Sequence, residues 1–403
     1  MKISLVKKSD YLALLFGDPK RLRLRFSDDI HEVSARLPRA RDGEPRTVLL
    51  LGANGFVGMH ILRELLKRDD IGKVITITRS TSKVTGIDRI RDCLRRYDMS
   101  LPSSERLEVL DGSFTEPQMS LAPSSYQRLR SSVDVLINAA GSTNHAYQYS
   151  YFRKEGVLST LRLVEFCLED RLKSYHCMGS MGGEVYSRYR DFLRLGFFHC
   201  GYSRMKWVNK HLVARFFQEG IPASIYLTPF VLGSQYTGYK DPGLQYSFWQ
   251  MLYYAGRMGM IWDCGDRPMP IVSGDVLAKI VIDNALSTSP KNVVHPTCYV
   301  SSLDLAKNFG WQHVPWKRFR RELFKRFSLR ASDVFSGLKG AIKNLLYTRA
   351  LFPSYLPHVL DSVNLRSVAS EDVPPNLALT PAELVSVCAQ NNYMLKRTLR
   401  GAS

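Results

Sequence analysis

Apolar positions along this chain fall into short runs divided by stretches of helical period, in regular alternation. Val48 to Leu51 is continuously apolar, the form of a parallel strand buried on both faces, and a helical stretch succeeds it to about Arg68. Lys73 to Thr78 alternates and is β-branched, which predicts a second strand. Arg106–Leu110, Val133–Ile137, Ser174–Met178 and Ala223–Thr228 predict four more, with a polar loop over Asp111 to Pro123 and helices over Tyr151–Leu168 and Tyr202–Gln218. Strands and helices in this order describe an α/β fold with a doubly wound parallel sheet. The pattern changes at Gly233, and Gly, Tyr and Trp accumulate up to Trp262 with little clean periodicity. Pro270 to Leu286 predicts a strand and helix returning to the main sheet. Residues 315 to 403 read as mainly helical, with Val373-Pro-Pro375 as a linker before a last helix, Pro381 to Leu395. Residues 1 to 46 read as a polar arm laid over the domain that begins at the first strand.

The turn after the first strand carries candidate chemistry. Gly52, Gly55 and Gly58 stand at G-x-x-G-x-x-G spacing between a buried strand and an amphipathic helix. Such glycines allow a sharp turn, close backbone approach to a pyrophosphate, and tight packing of helix on sheet, with the phosphate held at the helix N-terminus. This marks a Rossmann-type nucleotide site. The second strand ends in Arg79, where an enzyme using NAD would carry an acidic residue for the ribose 2′-hydroxyl. An arginine suits the 2′-phosphate of NADP, so the cofactor expected is NADPH. Arg89 is placed to add a second charge. After the fourth strand, Asn138-Ala139-Ala140-Gly141 supplies small residues against which a cofactor can lie.

Composition narrows the rest. The net charge of +19 suits an anionic partner, namely nucleic acid, an anionic membrane or a negatively charged substrate carrier, or else a merely soluble basic surface. Nucleic acid ranks low, because no recognised binding module accompanies the charge. Seven scattered cysteines without a C-x-x-C pair form neither a disulfide framework nor a metal cluster, so no metal is expected. No apolar run approaches a membrane span and no signal segment is visible, which makes a cytoplasmic protein the expectation.

A second constellation is Tyr202-Ser-Arg-Met-Lys206. Residues four apart share a helix face, so Lys206 lies close to the Tyr202 phenol and lowers the cost of ionising it. Ser180, at the end of the preceding strand, can steady an oxyanion.

With these residues in view, the chain resembles the extended short-chain dehydrogenase/reductases. Within them it is similar to the thioester reductase domains that terminate carboxylic acid reductases and some nonribosomal peptide synthetases, with fatty acyl-CoA reductases as relatives. The resemblance runs from about Phe26 to the C-terminus. It rests on the glycine turn, Ile77-Thr-Arg-Ser80, Gly112-Ser-Phe-Thr-Glu-Pro117, Asn138-Ala-Ala-Gly-Ser-Thr-Asn-His145 with Tyr149, and Gly201-Tyr-Ser-Arg-Met-Lys-Trp207. It implies catalysis by Ser180, Tyr202 and Lys206, which also touch the cofactor. Further cofactor contacts are implied at Gly52, Asn54, Gly55, Phe56, Val57, Gly58, Arg79, Arg89, Ser113, Phe114, Ala139, Ala140 and Gly141. Three positions depart from the family pattern: Ser113 for a usual aspartate, Gly156 for a frequent asparagine, and Met205 for a usual serine.

The resemblance implies reduction of a carrier- or CoA-bound acyl thioester by NADPH to an aldehyde, and on to an alcohol if a second hydride is delivered. Competing readings are an extended reductase acting on another carbonyl or alcohol, and an NADP-binding regulatory protein with little turnover. The organisation expected is an arm (1–46), an NADP-binding domain (47–232), substrate-side loops with segments returning to the sheet (233–314), and a helical substrate or carrier-docking part (315–403). In that last part, Trp316 to Phe327 sets Trp316, Phe319, Leu323, Phe324 and Phe327 at helical spacing among six basic residues. A basic amphipathic helix suits an acidic carrier protein bearing a phosphopantetheine thioester, or peripheral contact with an anionic membrane. A core-facing stripe with a solvated basic face explains the same pattern.

Overall fold

A computed structural model of the chain describes residues 46–102, 105–143, 149–183, 201–235, 247–265, 268–326 and 379–390. The elements run β1 (Arg46–Leu51), α1 (Phe56–Lys67), β2 (Ile71–Ile77), α2 (Gly86–Arg96), β3 (Leu107–Leu110), a 3-10 turn (Pro117–Ser120), α3 (Pro123–Ser132), β4 (Val135–Asn138), α4 (Tyr149–Phe152), a π-helical turn (Arg153–Leu158), α5 (Ser159–Leu168), β5 (Ser174–Met178), α6 (Gly201–Gln218) and β6 (Ala223–Tyr226). They continue as β7 (Phe230–Val231), α7 (Ser247–Met258), β8 (Met260–Trp262), β9 (Met269–Val272), α8 (Gly274–Leu286), β10 (Val293–Val294), β11 (Cys298–Val300), α9 (Ser302–Phe309), β12 (Gln312–Val314), α10 (Trp316–Arg326) and α11 (Pro381–Gln390).

These elements form two compact units, one of the described residues up to Thr228 with Asp275–Pro296, the other of Pro229–Gly274 with the described residues from Thr297 onward. The first unit is built on a seven-stranded sheet of order β10-β6-β5-β4-β1-β2-β3. All of its pairings are parallel. Such a sheet is covered by helices on both faces, which is why Val48–Leu51 and Leu136–Ile137 are wholly buried. The strand order reverses at β1, whose neighbours are β2 and β4, with Leu51 opposite Asn138. At such a switch point the carboxyl ends of two strands diverge and leave a crevice. Helix α6 closes one face: Met205, Val208, Leu212 and Phe216, a turn apart, are all buried.

In the second unit, β9 is the centre of a three-stranded sheet, antiparallel to β11 and parallel to β7. β8 and β12 form a separate parallel pair. On α10, Phe319 and Leu323 are buried, and Trp262 meets the rings of Trp316 at 5.9 Å and Phe319 at 5.0 Å. Phe319 and Leu323 of this basic helix are therefore committed to its own unit's core, with Trp316 half-buried beside them. Lys317, Arg318, Arg321, Lys325 and Arg326 stand exposed. What the helix offers outward is charge, and insertion of these apolar residues into a bilayer is excluded while they pack there.

Several expectations are corrected. The strand expected at Pro270 joins the second unit's sheet, and the main sheet is completed instead by β10 beside β6. An apolar run announces a strand but not its partner. The stretch expected to be loops up to Trp262 contains α7 and β8, because Phe248, Trp249, Leu252 and Ala255 do form a helical stripe of buried residues that aromatic and glycine content obscured. The polar segment after β3 holds a 3-10 turn and runs into α3, which begins with Pro123 at a position where its missing N–H costs nothing. The arm up to Pro45, Asn144 and His145, and the linker Val373–Pro375 lie outside the described residues. No described helix is long and apolar enough to cross a membrane.

Candidate active site

The glycine turn comes first, since it lies at the switch point. Gly52 has φ of +84°, a left-handed conformation, and a Cβ there would lie 2.6 Å from the Ala140 nitrogen and 2.7 Å from the Ala139 carbonyl carbon. Glycine is required twice over, for the turn and for the approach of the β4 segment. A Cβ on Gly58 would lie 2.0 Å from the Gly52 carbonyl oxygen, so α1 packs directly on the turn. Gly55 donates its N–H to that same oxygen at 2.8 Å and is the N-cap of α1, with no side-chain capping bond and no acidic residue in the first turn. Uncapped N–H groups at the start of this 12-residue helix fit a pyrophosphate. Asn54 and Val57 are half-buried on this turn. Phe56 is buried against His60 and Tyr97, which leaves its backbone as the part facing a ligand.

At the end of β2, Arg79 is exposed and Arg89 reaches back from α2 to donate to the Arg79 carbonyl at 2.5 Å. Both arginines thus meet at one strand end. Asp111, at the end of β3, accepts the Ser80 N–H at 2.7 Å and Ser80 accepts the Gly86 N–H at 3.1 Å, which shapes this corner. Ser113 N–H donates to the Met119 carbonyl at 2.8 Å and its hydroxyl lies 3.0 Å from that of Thr115. Ser113 is therefore already tied within its loop.

The expected catalytic residues come from β5 and α6, and a lysine joins the two elements. Lys206 Nζ donates to the Met178 carbonyl at 2.6 Å, at the last residue of β5. Its ammonium lies 5.6 Å from the centroid of the Tyr202 ring. Tyr202 is buried and meets Phe152 edge-on at 5.9 Å. Two residues past Met178, Ser180 accepts the Gly182 N–H at 3.1 Å, so its own hydroxyl proton is still available to donate. A Cβ on Gly183 would come within 3.0 Å of the Trp207 nitrogen, which presses the Ser180–Gly183 turn against α6 beside Lys206. Burial lowers the Lys206 ammonium from its ordinary value to about 8, against a smaller opposing pull from the Cys177 thiol.

A cleft is lined by residues of the β4 end and its following segment, among them Asn138, Ala140 and Gly141, together with Phe114, Gly156, Met178, Met205, Lys206 and Asn209. It brings Phe114, Ala140 and Gly141 of the expected cofactor set together with Lys206. Of the expected catalytic trio only Lys206 lines it, and Arg79 and Arg89 stand apart at the β2 end. Sequence reasoning missed the Met178 carbonyl, which no side-chain pattern reveals. It also missed Asn209, which stands one turn beyond Lys206 on α6 and could have been found from spacing. No cluster of metal-binding side chains occurs among the described residues.

Fold, glycine turn and the tied strand and helix define a dinucleotide-binding α/β protein of the extended short-chain reductase type. The family model described as male sterility protein, an NAD-binding model, matches residues 50–281, and the chain belongs to that family. It is 25% identical over 264 residues to the aldehyde reductase lnaA of Aspergillus flavus, covering 62% of this chain and 25% of that protein. To the L-2-aminoadipate reductase of Schizosaccharomyces pombe it is 26% identical over 234 residues, covering 52% of this chain and 16% of that protein. The chain thus spans a quarter or less of the length of these curated relatives. Among solved structures, the terminal R domain of the myxalamid PKS-NRPS pathway superposes with a TM-score of 0.65 at 21% identity, covering 88% of this chain and 92% of that one. A thiolation-reductase di-domain from an archaeal non-ribosomal peptide synthetase superposes with the same TM-score, 0.65, at 17% identity, covering 92% and 80%. These likenesses establish the reductase-domain fold.

Proposed function

We propose that this chain is an NADPH-dependent reductase of acyl thioesters, releasing an aldehyde and a thiol. The observation that carries the reading is the 2.6 Å bond from Lys206 to the Met178 carbonyl, which ties the tyrosine-bearing helix to the strand end that leads into Ser180. The glycine turn and uncapped α1 N-terminus would hold the pyrophosphate, and Arg79 with Arg89 the 2′-phosphate. When bound, NADPH supplies the hydride. Ser180 donates a hydrogen bond to the substrate carbonyl oxygen, and Tyr202 gives it a proton as the carbonyl carbon becomes tetrahedral. Lys206, held in a dry setting, keeps the phenol ionisable and adds positive charge close to the developing oxyanion. Loss of the thiol from the resulting hemithioacetal leaves the aldehyde.

The relatives support a carrier-bound substrate, since the archaeal neighbour joins a thiolation and a reductase domain in one chain. A carrier of this kind is acidic in our reading and presents its acyl group on a phosphopantetheine arm. The exposed basic residues of α10 are the docking surface we assign to it.

Two substitutions test the roles. Tyr202→Phe should abolish thioester reduction while leaving NADPH affinity nearly unchanged. Lys206→Ala should abolish reduction and weaken NADPH binding as well. Near-normal reduction by Tyr202→Phe, with every accepted substrate, would rule out the proton relay.

A further inference from the structure

Among the described residues of the first unit, α-helical geometry gives way to a π turn at Arg153–Leu158, between α4 and α5. A π turn inserts a residue and releases backbone carbonyls from the regular ladder, and such turns are frequent at functional sites. Here the Gly156 carbonyl accepts from the Thr160 hydroxyl at 2.8 Å and from the Ser159 hydroxyl at 3.3 Å. Gly156 faces α6. A Cβ at position 156 would lie 2.7 Å from Met205 Cγ and 3.0 Å from its sulfur. The Cγ is close to the backbone, so a simple swing of the methionine end does not relieve the contact. Met205 is 3% exposed and its sulfur accepts from Asn209 Nδ2 at 3.5 Å. The next residue is Lys206, and Gly156, Met205, Lys206 and Asn209 line the same cleft.

We infer that Met205 is a positioning residue for Lys206, acting as one unit with Gly156. The methionine side chain fills the space that a side chain at position 156 would take, and holds the α6 backbone at the distance from β5 that lets Lys206 reach the Met178 carbonyl. It also keeps bulk water from the apolar flank of the ammonium. This inference rests on the proposed role of Lys206. The titratable groups placed at Lys206 are Tyr202 on its own helix and Cys177 on β5, and Glu155 on the π turn lines the same cleft.

The test is a cycle of Gly156→Ala, Met205→Ala and the double variant, with Met205→Leu as the volume-conserving control. NADPH affinity is read by fluorescence titration from pH 6 to pH 9.5, alongside thermal stability and thioester turnover. Gly156→Ala should weaken NADPH binding, and adding Met205→Ala should recover part of it, so that the double variant binds at least about threefold tighter than the product of the singles predicts. Met205→Ala alone should move the alkaline fall in affinity to higher pH, because the lysine is rehydrated, while Met205→Leu should leave it in place. A structural filler would lower stability without moving that pH limb. Additive singles, or an unmoved limb in Met205→Ala, overturn the inference and leave the proposed function standing. If the unaltered protein binds NADPH but reduces no thioester, the function fails, and the affinity cycle still decides the pairing.

Discussion

Lys206 shows how burial sets a working range. Its ammonium is required by the proposed relay, and burial brings its pKa down to about 8. The group is charged below that value and neutral above it. The efficiency kcat/KM, which reports the free enzyme, should therefore fall as pH rises through about 8, and a profile flat from pH 7 to pH 9.5 would contradict the assignment. At the other end of the proposed cofactor site, Arg79 is the residue to which the reading assigns a preference for NADPH. Arg79→Ala should cost roughly 1.5 to 3 kcal/mol of NADPH affinity, a charge-assisted pair lost, and leave NADH affinity nearly unchanged. Equal affinity for NADH and NADPH in the unaltered protein would remove the basis for that prediction. The placement of Tyr202 and Lys206 on one helix, and of Arg79 at a strand end, was legible in the sequence because each is a side chain at a set spacing within a helix or from a strand. The Met178 carbonyl was not, because any residue carries one. The fit of Met205 over Gly156 was not either: two departures from a pattern are visible in a sequence, and their contact is visible only when two helices are seen side by side.

Elements were legible where burial leaves a periodic mark. The first six strands and the helices after β1, β4 and β5 are evident from apolar runs and 3.6-residue stripes, since a parallel sheet covered on both faces demands apolar strands, whereas α3 is too polar to leave such a mark. Pairing was less so. The run at Met269–Val272 is as apolar as any main-sheet strand, and only its partner β11 shows that it belongs elsewhere. The contact of α1 with the glycine turn gives a prediction at this scale. Gly58→Ala would bring a methyl group to 2.0 Å from the Gly52 oxygen, so α1 must shift. Stability should drop by about 1 to 3 kcal/mol, measured by denaturant unfolding, and NADPH affinity should fall with it. A second prediction belongs to α10, where Phe319 and Leu323 are buried and Arg321 and Lys325 are exposed. Reversing Arg321 and Lys325 to Glu should raise KM for a carrier-bound acyl group and spare a small soluble thioester. The carrier reaction should also weaken with salt, since exposed charges are screened over roughly 10 Å at 0.1 M. An unchanged ratio of the two efficiencies would place carrier docking elsewhere.

For the whole molecule, the net charge of +19 and the division into two units frame what the site is for. The first unit holds the glycine turn, the Arg79–Arg89 corner and the strand-to-helix tie made by Lys206, so the groups proposed for cofactor binding and proton transfer arise from one sheet and its helices. The second unit brings the basic helix, to which the proposed function assigns attraction of a carrier-borne substrate. The central claim is that the substrate is a thioester, and it is tested most directly by measuring NADPH oxidation with a panel of acyl-CoA and acyl-carrier thioesters, trapping the product. With a thioester, NADPH should be consumed with release of free thiol and formation of aldehyde, or of alcohol after a second hydride transfer. Consumption only with free ketones, aldehydes or sugars, and none with any thioester, would contradict it.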